Sequence, residues 1–447
     1  MPTDPAILDR LTDLVALARR RGAEAADAVF VRSVGMAQAV RLGAPERRER
    51  EESQDIGLRV LIGKRQAVAS SADLARPALE ELVERVVAMA KAVPEDPYVG
   101  LAEPSELARS LPDLDLEDPV EPSPERLAEL ALACEEAARA VPGVTNSEGG
   151  EASWSRAEVA LAASNGFAGA YARTGHLLSA SVIAGTGDRM ERDYDYHSAV
   201  HAQDLRAAAD IGRRAGERTV KRLNPRKVKT TKVPVIYDPR VSGSLLGHLV
   251  GAISGSAVAR GTSFLKDKLG QAILPAGVRV VDDPFKPRGR RSRPFDGEGL
   301  AGARRALIED GRLTGWLLDL GTARQLGLAS SGNAARGTGG PPAPSPANLY
   351  LEPGETSPQA LIAEVEEGLY VCEMMGRGVN EVTGDYSRGA AGFWIEKGQL
   401  AYPVSGLTVA GNLLEMYPRL LAADDLEFRS GMDAPTVRID GLTVAGA

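Results

Sequence analysis

The sequence predicts an α+β protein in which smaller N-terminal α/β units precede a mostly antiparallel, β-rich C-terminal domain. Helix-period and strand-period segments alternate before about residue 230, and glycine-punctuated, period-two segments dominate after about residue 262. The 447 residues include 48 glycines but only 4% aromatics, a composition suited to many turns and small-residue packing. A chain of this length divides into two or three domains, which the composition shifts place at 1–94, 122–226 and 232–447.

Over residues 5 to 21, Ile7, Leu8, Leu11, Leu14, Val15 and Ala18 recur at helical period, with Asp4 as N-cap and Pro5 at the first helical position. DAVFVRSV, MAQAVRLG and DIGLRVLIGKRQAVASS alternate as strands, the last bending at Gly63-Lys64, and ADLARPALEELVERVVAMAKAV reads as an amphipathic helix. The acidic, proline-rich run from Pro94 to Pro124 reads as a linker or an irregular crossing. A helix over 125–141 opens the second unit, and ASWSRAEVALAASNGFAGAYART is a hairpin turning on Asn165-Gly166. A helix near 204–222, capped by Asp204, and the basic segment RTVKRLNPRKVKTTK lead to strand VPVIYD, which opens the third region. There LIEDGRL and WIEKGQL form two similar hairpins, too short to make a repeat.

The net charge of -8 gives no global push toward nucleic acid or an anionic membrane. Cys134 and Cys372 form neither a disulfide framework nor a zinc-finger spacing, and MPTDPAILDRLTDLV lacks the pattern of a secretory leader, so a cytoplasmic setting is expected. VSGSLLGHLVGAISG, residues 241 to 255, is the one stretch that resembles a membrane span, with glycine at 243, 247, 251 and 255. Its serines and the absence of a second span favour a buried helix starting after Asp238-Pro239, whose glycine stripe admits another backbone beside Leu245, Leu249 and Val250.

Several motifs carry residues suited to chemistry. His197 and His201 share a face at i, i+4 with Asp193, Asp195 and Asp204 nearby, which is metal-ligand spacing. Two histidines on a polar surface are also common. Ser263-x-x-Lys266 and Ser331-Gly332-Asn333 have penicillin-binding form, but no K-T-G follows them, and Arg173-Thr174-Gly175 lies on the wrong side in chain order. The basic runs Arg213 to Lys232 and KPRGRRSR, residues 286 to 293, could contact phosphates, although no aromatics interleave for base stacking.

GVNEVTGDYSRGAAGFWIEKGQLAYPVSGLTVAGNL, residues 378 to 413, strongly resembles the signature of the PmbA/TldE proteins, the partner branch of the TldD/TldE peptidase family. SGNAARG at 331, PSPANLYLEPG at 344, GTSFLKDKLG at 261 and the closing PTVRIDGLTVAG extend the resemblance, which covers the first two regions more loosely. It implies an α/β N-terminal part and a β-rich C-terminal domain. The catalytic TldD branch carries an H-E-x-x-x-H helix for zinc and a cysteine ligand near its C-terminus. Aligned through a shared Val-Gly pair, that pattern puts Gly247 and Ala252 at the histidine positions and His248 at the glutamate, and no cysteine follows Cys372. The resemblance therefore implies no catalytic residue and no metal in this chain, zinc in a TldD-like partner, and a supporting role in cleaving unfolded or small peptides. Its candidate peptide contacts are Asn380, Asp385, Tyr386 and Arg388; turn formation is the plainer role for Asn and Asp beside glycine. Family members are also tied to DNA gyrase, so the alternative is a regulatory binding protein acting on gyrase or nucleic acid without proteolysis.

Overall fold

In the computed structural model, which describes residues 5–446, the N-terminal half is one six-stranded antiparallel sheet covered by four helices. Its strands are β1 (Ala25–Arg41), β2 (Ala44–Ile62), β3 (Arg65–Ser71), β4 (Val144–Ala163), β5 (Ala168–Ala184) and β6 (Glu191–Ala199), in the order β3-β2-β1-β4-β5-β6. The helices are α1 (Pro5–Arg20), α2 (Arg76–Ala92), α3 (Pro124–Arg139) and α4 (Ala208–Lys221). Strands from 1–94 and from 122–226 share this sheet, because β1 pairs with β4 from Asp27↔Ala163 to Val40↔Gly150. Alternation sets its two faces. Ala28, Phe30 and Ala160 pack under α1 and α2, and Met36, Trp154 and Leu178 pack under α3 and α4. The opposite face presents Val29 and Leu161 to Phe167 and Phe295, where the C-terminal half begins to pack.

Two expectations change. The two strands read on either side of Gly35 are one strand, since Gly35 stays in register with both Glu51 and Ser155 and the chain turns instead at Leu42-Gly43, both at positive φ. Asp204 does not cap α4, which starts at Ala208 after N-cap Ala207; Asp204 ends a short 3-10 turn and pairs with Arg288 at 3.0 Å. The proposed cap Asp4 lies outside the described residues. The run from Pro94 to Pro124 has no regular helix or strand and buries Leu114 and Leu116 as it crosses. The Asn165-Gly166 hairpin forms as read, with Gly166 at φ 98.

The C-terminal half begins with β7 (Thr231–Tyr237), α5 (Pro239–Ile253), the short α6 (Gly255–Ala259), β8 (Val280–Asp283), β9 (Arg305–Glu309) and β10 (Arg312–Leu313). It continues through α7 (Leu320–Leu326), β11 (Ala334–Ala335), β12 (Ala343–Pro344), β13 (Asn348–Leu351), α8 (Pro358–Ala363), β14 (Glu367–Met375), β15 (Asp385–Glu396) and β16 (Gln399–Asn412). It closes with α9 (Leu413–Met416), β17 (Leu420–Ala422), β18 (Met432–Asp433) and β19 (Val437–Ala445). A six-stranded sheet, β16-β15-β14-β7-β19-β17, and a five-stranded one, β10-β9-β8-β13-β18, enclose the largest core; among the described residues the strand pairs β14–β7 and β13–β18 are parallel and the other strand pairs of these sheets antiparallel. The two hairpins read at LIEDGRL and WIEKGQL are β9–β10 and β15–β16. Among the described residues, no helix is long and apolar enough to cross a membrane.

Candidate functional site

The helix α5 is the place to look, because the sequence resemblance aligned the H-E-x-x-x-H pattern there and the helix sits inside this core. Asp238 caps it, accepting from the Arg240 N–H at 2.9 Å and from the Tyr370 hydroxyl at 2.8 Å, with Pro239 at the first helical position. Leu245, Leu249 and Ile253 face the core, and Val250 packs partly buried against it. Of the four glycines in the stripe, Gly243 alone admits another backbone; Gly251 and Gly255 face the side chains of Glu381, Leu318 and Thr322. A Cβ at Gly243 would lie 2.8 Å from the Met432 carbonyl oxygen, whereas one at Gly247 would meet only the Met432 sulfur, at 3.8 Å. Gly243→Ala is therefore expected to destabilise despite alanine's better helix propensity, and Gly247→Ala to be neutral or to stabilise by about 0.5–1 kcal/mol. Thermal unfolding of the two variants checks the ordering.

His248 is partly buried and meets Tyr386 edge to face, with ring centroids 5.9 Å apart at 77°. Its Nε2 is buried without a hydrogen-bond partner. Burial, reinforced by the Arg388 charge, pushes the imidazole down to about 4, so it is neutral at pH 7. A neutral form favoured by folding gives stability that is complete above the ordinary value of 6.5 and is lost as pH falls from there toward about 4. In NMR titration the His248 resonances should hold still from pH 8 down to about 5.5; movement centred near 6.5 would contradict the buried, neutral ring.

The structure separates the four candidate peptide contacts into two pairs. Asn380 and Asp385 shape the turn before β15: the Asn380 side chain accepts from Val382 N at 2.9 Å, and Asp385 accepts from Thr383 Oγ1 at 2.7 Å and Asn412 Nδ2 at 3.0 Å. Those bonds hold the Asp385 carboxyl below its usual range. Tyr386 and Arg388 share a strand face and gather beside His248. The Arg388 guanidinium donates to the Gly376 carbonyl at 3.1 Å. Tyr386 is 1% exposed, and burial lifts its phenol to about 12. Tyr237, the last residue of β7, joins the cluster with its own phenol pushed well up by burial and by the neighbouring Tyr386. Neither hydroxyl has a hydrogen-bond partner of ordinary geometry. The sequence reading missed Tyr237; its signal was an aromatic directly before the Asp-Pro start of α5.

The remaining candidates are engaged elsewhere. His197, on β6, accepts the Arg206 N–H at 3.3 Å through Nδ1, while His201 faces Asp115 at 3.1 Å. Ser263 is buried and donates to the Ala252 carbonyl at 2.5 Å, while Lys266 is exposed. Ser331 donates to the Leu318 carbonyl at 3.0 Å. Cys134 and Cys372 are free and buried, and burial drives both thiols up to about 12, away from the thiolate that a metal requires. No group of three or more His, Cys, Asp or Glu side chains positioned to hold a metal occurs among the described residues.

A sheet with four helices thus precedes a β-rich half whose core helix carries a lone histidine beside two tyrosines. Profiles described as PmbA/TldA metallopeptidase domain 1, central domain and C-terminal domain match residues 26–90, 117–223 and 230–446, and the chain belongs to this PmbA/TldD family. It is 39% identical to the metalloprotease PmbA of Escherichia coli O157:H7, over 95% of this chain and 92% of that one. A crystal structure from Bacteroides thetaiotaomicron, described as that of a modulator of DNA gyrase, superposes with a TM-score of 0.92 at 28% identity over 100% of both chains. TldE from Thermococcus kodakarensis shares the fold, with a TM-score of 0.87 at 23% identity over 98% of this chain and 100% of that one.

Proposed function

We propose that this chain is the non-catalytic subunit of a cytoplasmic TldD/TldE-type zinc metallopeptidase acting on unfolded or small peptides. The observation that carries the reading is the composition of α5: Gly247 and Ala252 offer no donor atoms where the catalytic branch has histidines, and His248 replaces its glutamate. Zinc and the attacking water belong to an H-E-x-x-x-H partner, and this chain closes and shapes the peptide chamber. A peptide is held there largely through main-chain hydrogen bonds by strand addition. Arg388 is the side chain best placed to orient it; Tyr386, buried behind it, acts by packing against His248, and Asn380 and Asp385 by fixing the turn before this strand.

A tagged chain recovered from its native cytosol tests this. Co-purification of an H-E-x-x-x-H sister chain, with chelator-sensitive peptide cleavage in the eluate, supports the reading. Saturable binding to gyrase or duplex DNA with no sister chain present would favour the regulatory alternative instead.

A further inference from the structure

Away from α5, a cavity of about 240 Å³ lies between β6 and the C-terminal loops, with His197, Lys286, Arg288, Arg290, Phe428 and Asp433 in its wall. It absorbs part of the basic run KPRGRRSR, and its charges do not balance. Arg288 is paired, with Asp115 at 2.5 Å and Asp204 at 3.0 Å. The Asp433 carboxylate is taken up by the backbone N–H groups of Arg429, Ser430 and Gly431. Lys286 and Arg290 form no ion pair among the described residues; Lys286 instead sits 3.5 Å from the centroid of the Phe428 ring.

More unpaired charge stands behind Arg290. Arg173 donates to the Arg290 carbonyl and Arg293 to the Ser345 carbonyl, and neither of them nor Arg291 has a carboxylate partner among the described residues. Burial, with repulsion from one another, pulls Arg173, Arg290 and Arg291 below the usual guanidinium range. Asp433 and Asp282 offset only part of that effect on Arg290 and Arg291; half-buried cations with no directly paired carboxylate are costly, and an anion in the adjoining cavity offsets more of that cost. His197 adds a neutral donor: Nδ1 accepts from Arg206, so the ring proton lies on Nε2, and burial together with Arg206 holds the imidazole below its ordinary value.

We propose that this cavity binds a phosphate monoester, with its phosphoryl oxygens received by Lys286, Arg290 and His197 and its organic group against Phe428. Three donors from separate positions of the chain suit a tetrahedral oxyanion better than a planar carboxylate, which favours a single bidentate fork. Phe428, 40% exposed, supplies the apolar wall. The small volume and the aspartates of the wall, Asp204 and Asp433, disfavour an extended polyphosphate backbone. His197 comes from the N-terminal sheet and the other two donors from the C-terminal half, so the ligand ties the halves together.

Calorimetric titration of the full chain with phenyl phosphate, inorganic phosphate, acetate and a short DNA duplex tests the site. The expected result is saturable binding of phenyl phosphate, weaker binding of inorganic phosphate and none of acetate or duplex. Lys286→Gln and His197→Ala should each weaken phenyl phosphate at least about tenfold while keeping a cooperative ligand-free unfolding transition. No saturation up to about 10 mM phenyl phosphate, an affinity in both variants equal to that of the parent chain, or stronger binding of the duplex would overturn the proposal.

Discussion

Asp27→Ala is expected to lower the unfolding free energy by about 3–5 kcal/mol, the cost of breaking a buried ion network by removing one partner. Asp27 is 2% exposed and accepts from Arg59 Nε at 2.9 Å, while Arg336 donates to its other carboxylate oxygen. Arg59 stands on the neighbouring β2 and Arg336 belongs to the C-terminal half, so one carboxylate fastens the sheet to the domain that carries α5. Its loss leaves two buried guanidinium groups facing each other, and Nε and one terminal nitrogen of Arg336 already lack partners. Burial pushes the Asp27 carboxyl up, but Arg336 and Arg59 outweigh it and hold it below its ordinary value of 3.8. The stability it contributes is thus present above about pH 4 and is lost as pH falls through the lower folded value. Denaturant unfolding at pH 7 should show the full loss, with the gap between variant and parent narrowing in strong acid. A loss under about 1 kcal/mol at pH 7 would remove the network from the account.

Gly212→Leu should cost about 3 kcal/mol or more, and even Gly212→Ala should destabilise, against the direction of helix propensity. A Cβ at Gly212 would lie 2.0 Å from the Cys134 carbonyl oxygen, and one at Gly216 would lie 2.7 Å from that of Ala138. The two glycines let α4 rest directly on the α3 backbone, over Ile211, Ala215 and Leu178. Any side chain at Gly212 must prise the helices apart or bend one of them. Thermal unfolding reads the effect, and a Gly212→Ala variant more stable than the parent would show that the contact is not tight.

Local signals were legible in the sequence and distant pairings were not. The period of Ile7, Leu11 and Leu14, the Asn165-Gly166 turn and the Asp238-Pro239 start of α5 depend on neighbours within a few positions, and each appears where the residues place it. The union of the first two units in one sheet depends on β1 meeting β4 across more than a hundred intervening residues, for which alternation alone gives no register. Gly35 misled for a related reason: an isolated glycine reads as a break, yet both flanking strands hold it in the ladder. At the candidate site, Tyr386 and Arg388 were visible in a motif, whereas their meeting with His248 and Tyr237 was fixed only by packing. The Asp27, Arg59 and Arg336 network had no signal at all, since its members are ordinary charged residues until the fold buries them.

The most direct test of the central claim is the zinc content of the purified full-length chain after zinc loading, read together with peptide cleavage by the chain alone and after mixing with an H-E-x-x-x-H sister chain. The account predicts far less than one zinc per chain, no cleavage alone, and chelator-sensitive cleavage on mixing. One tightly held zinc per chain with cleavage in isolation would contradict it.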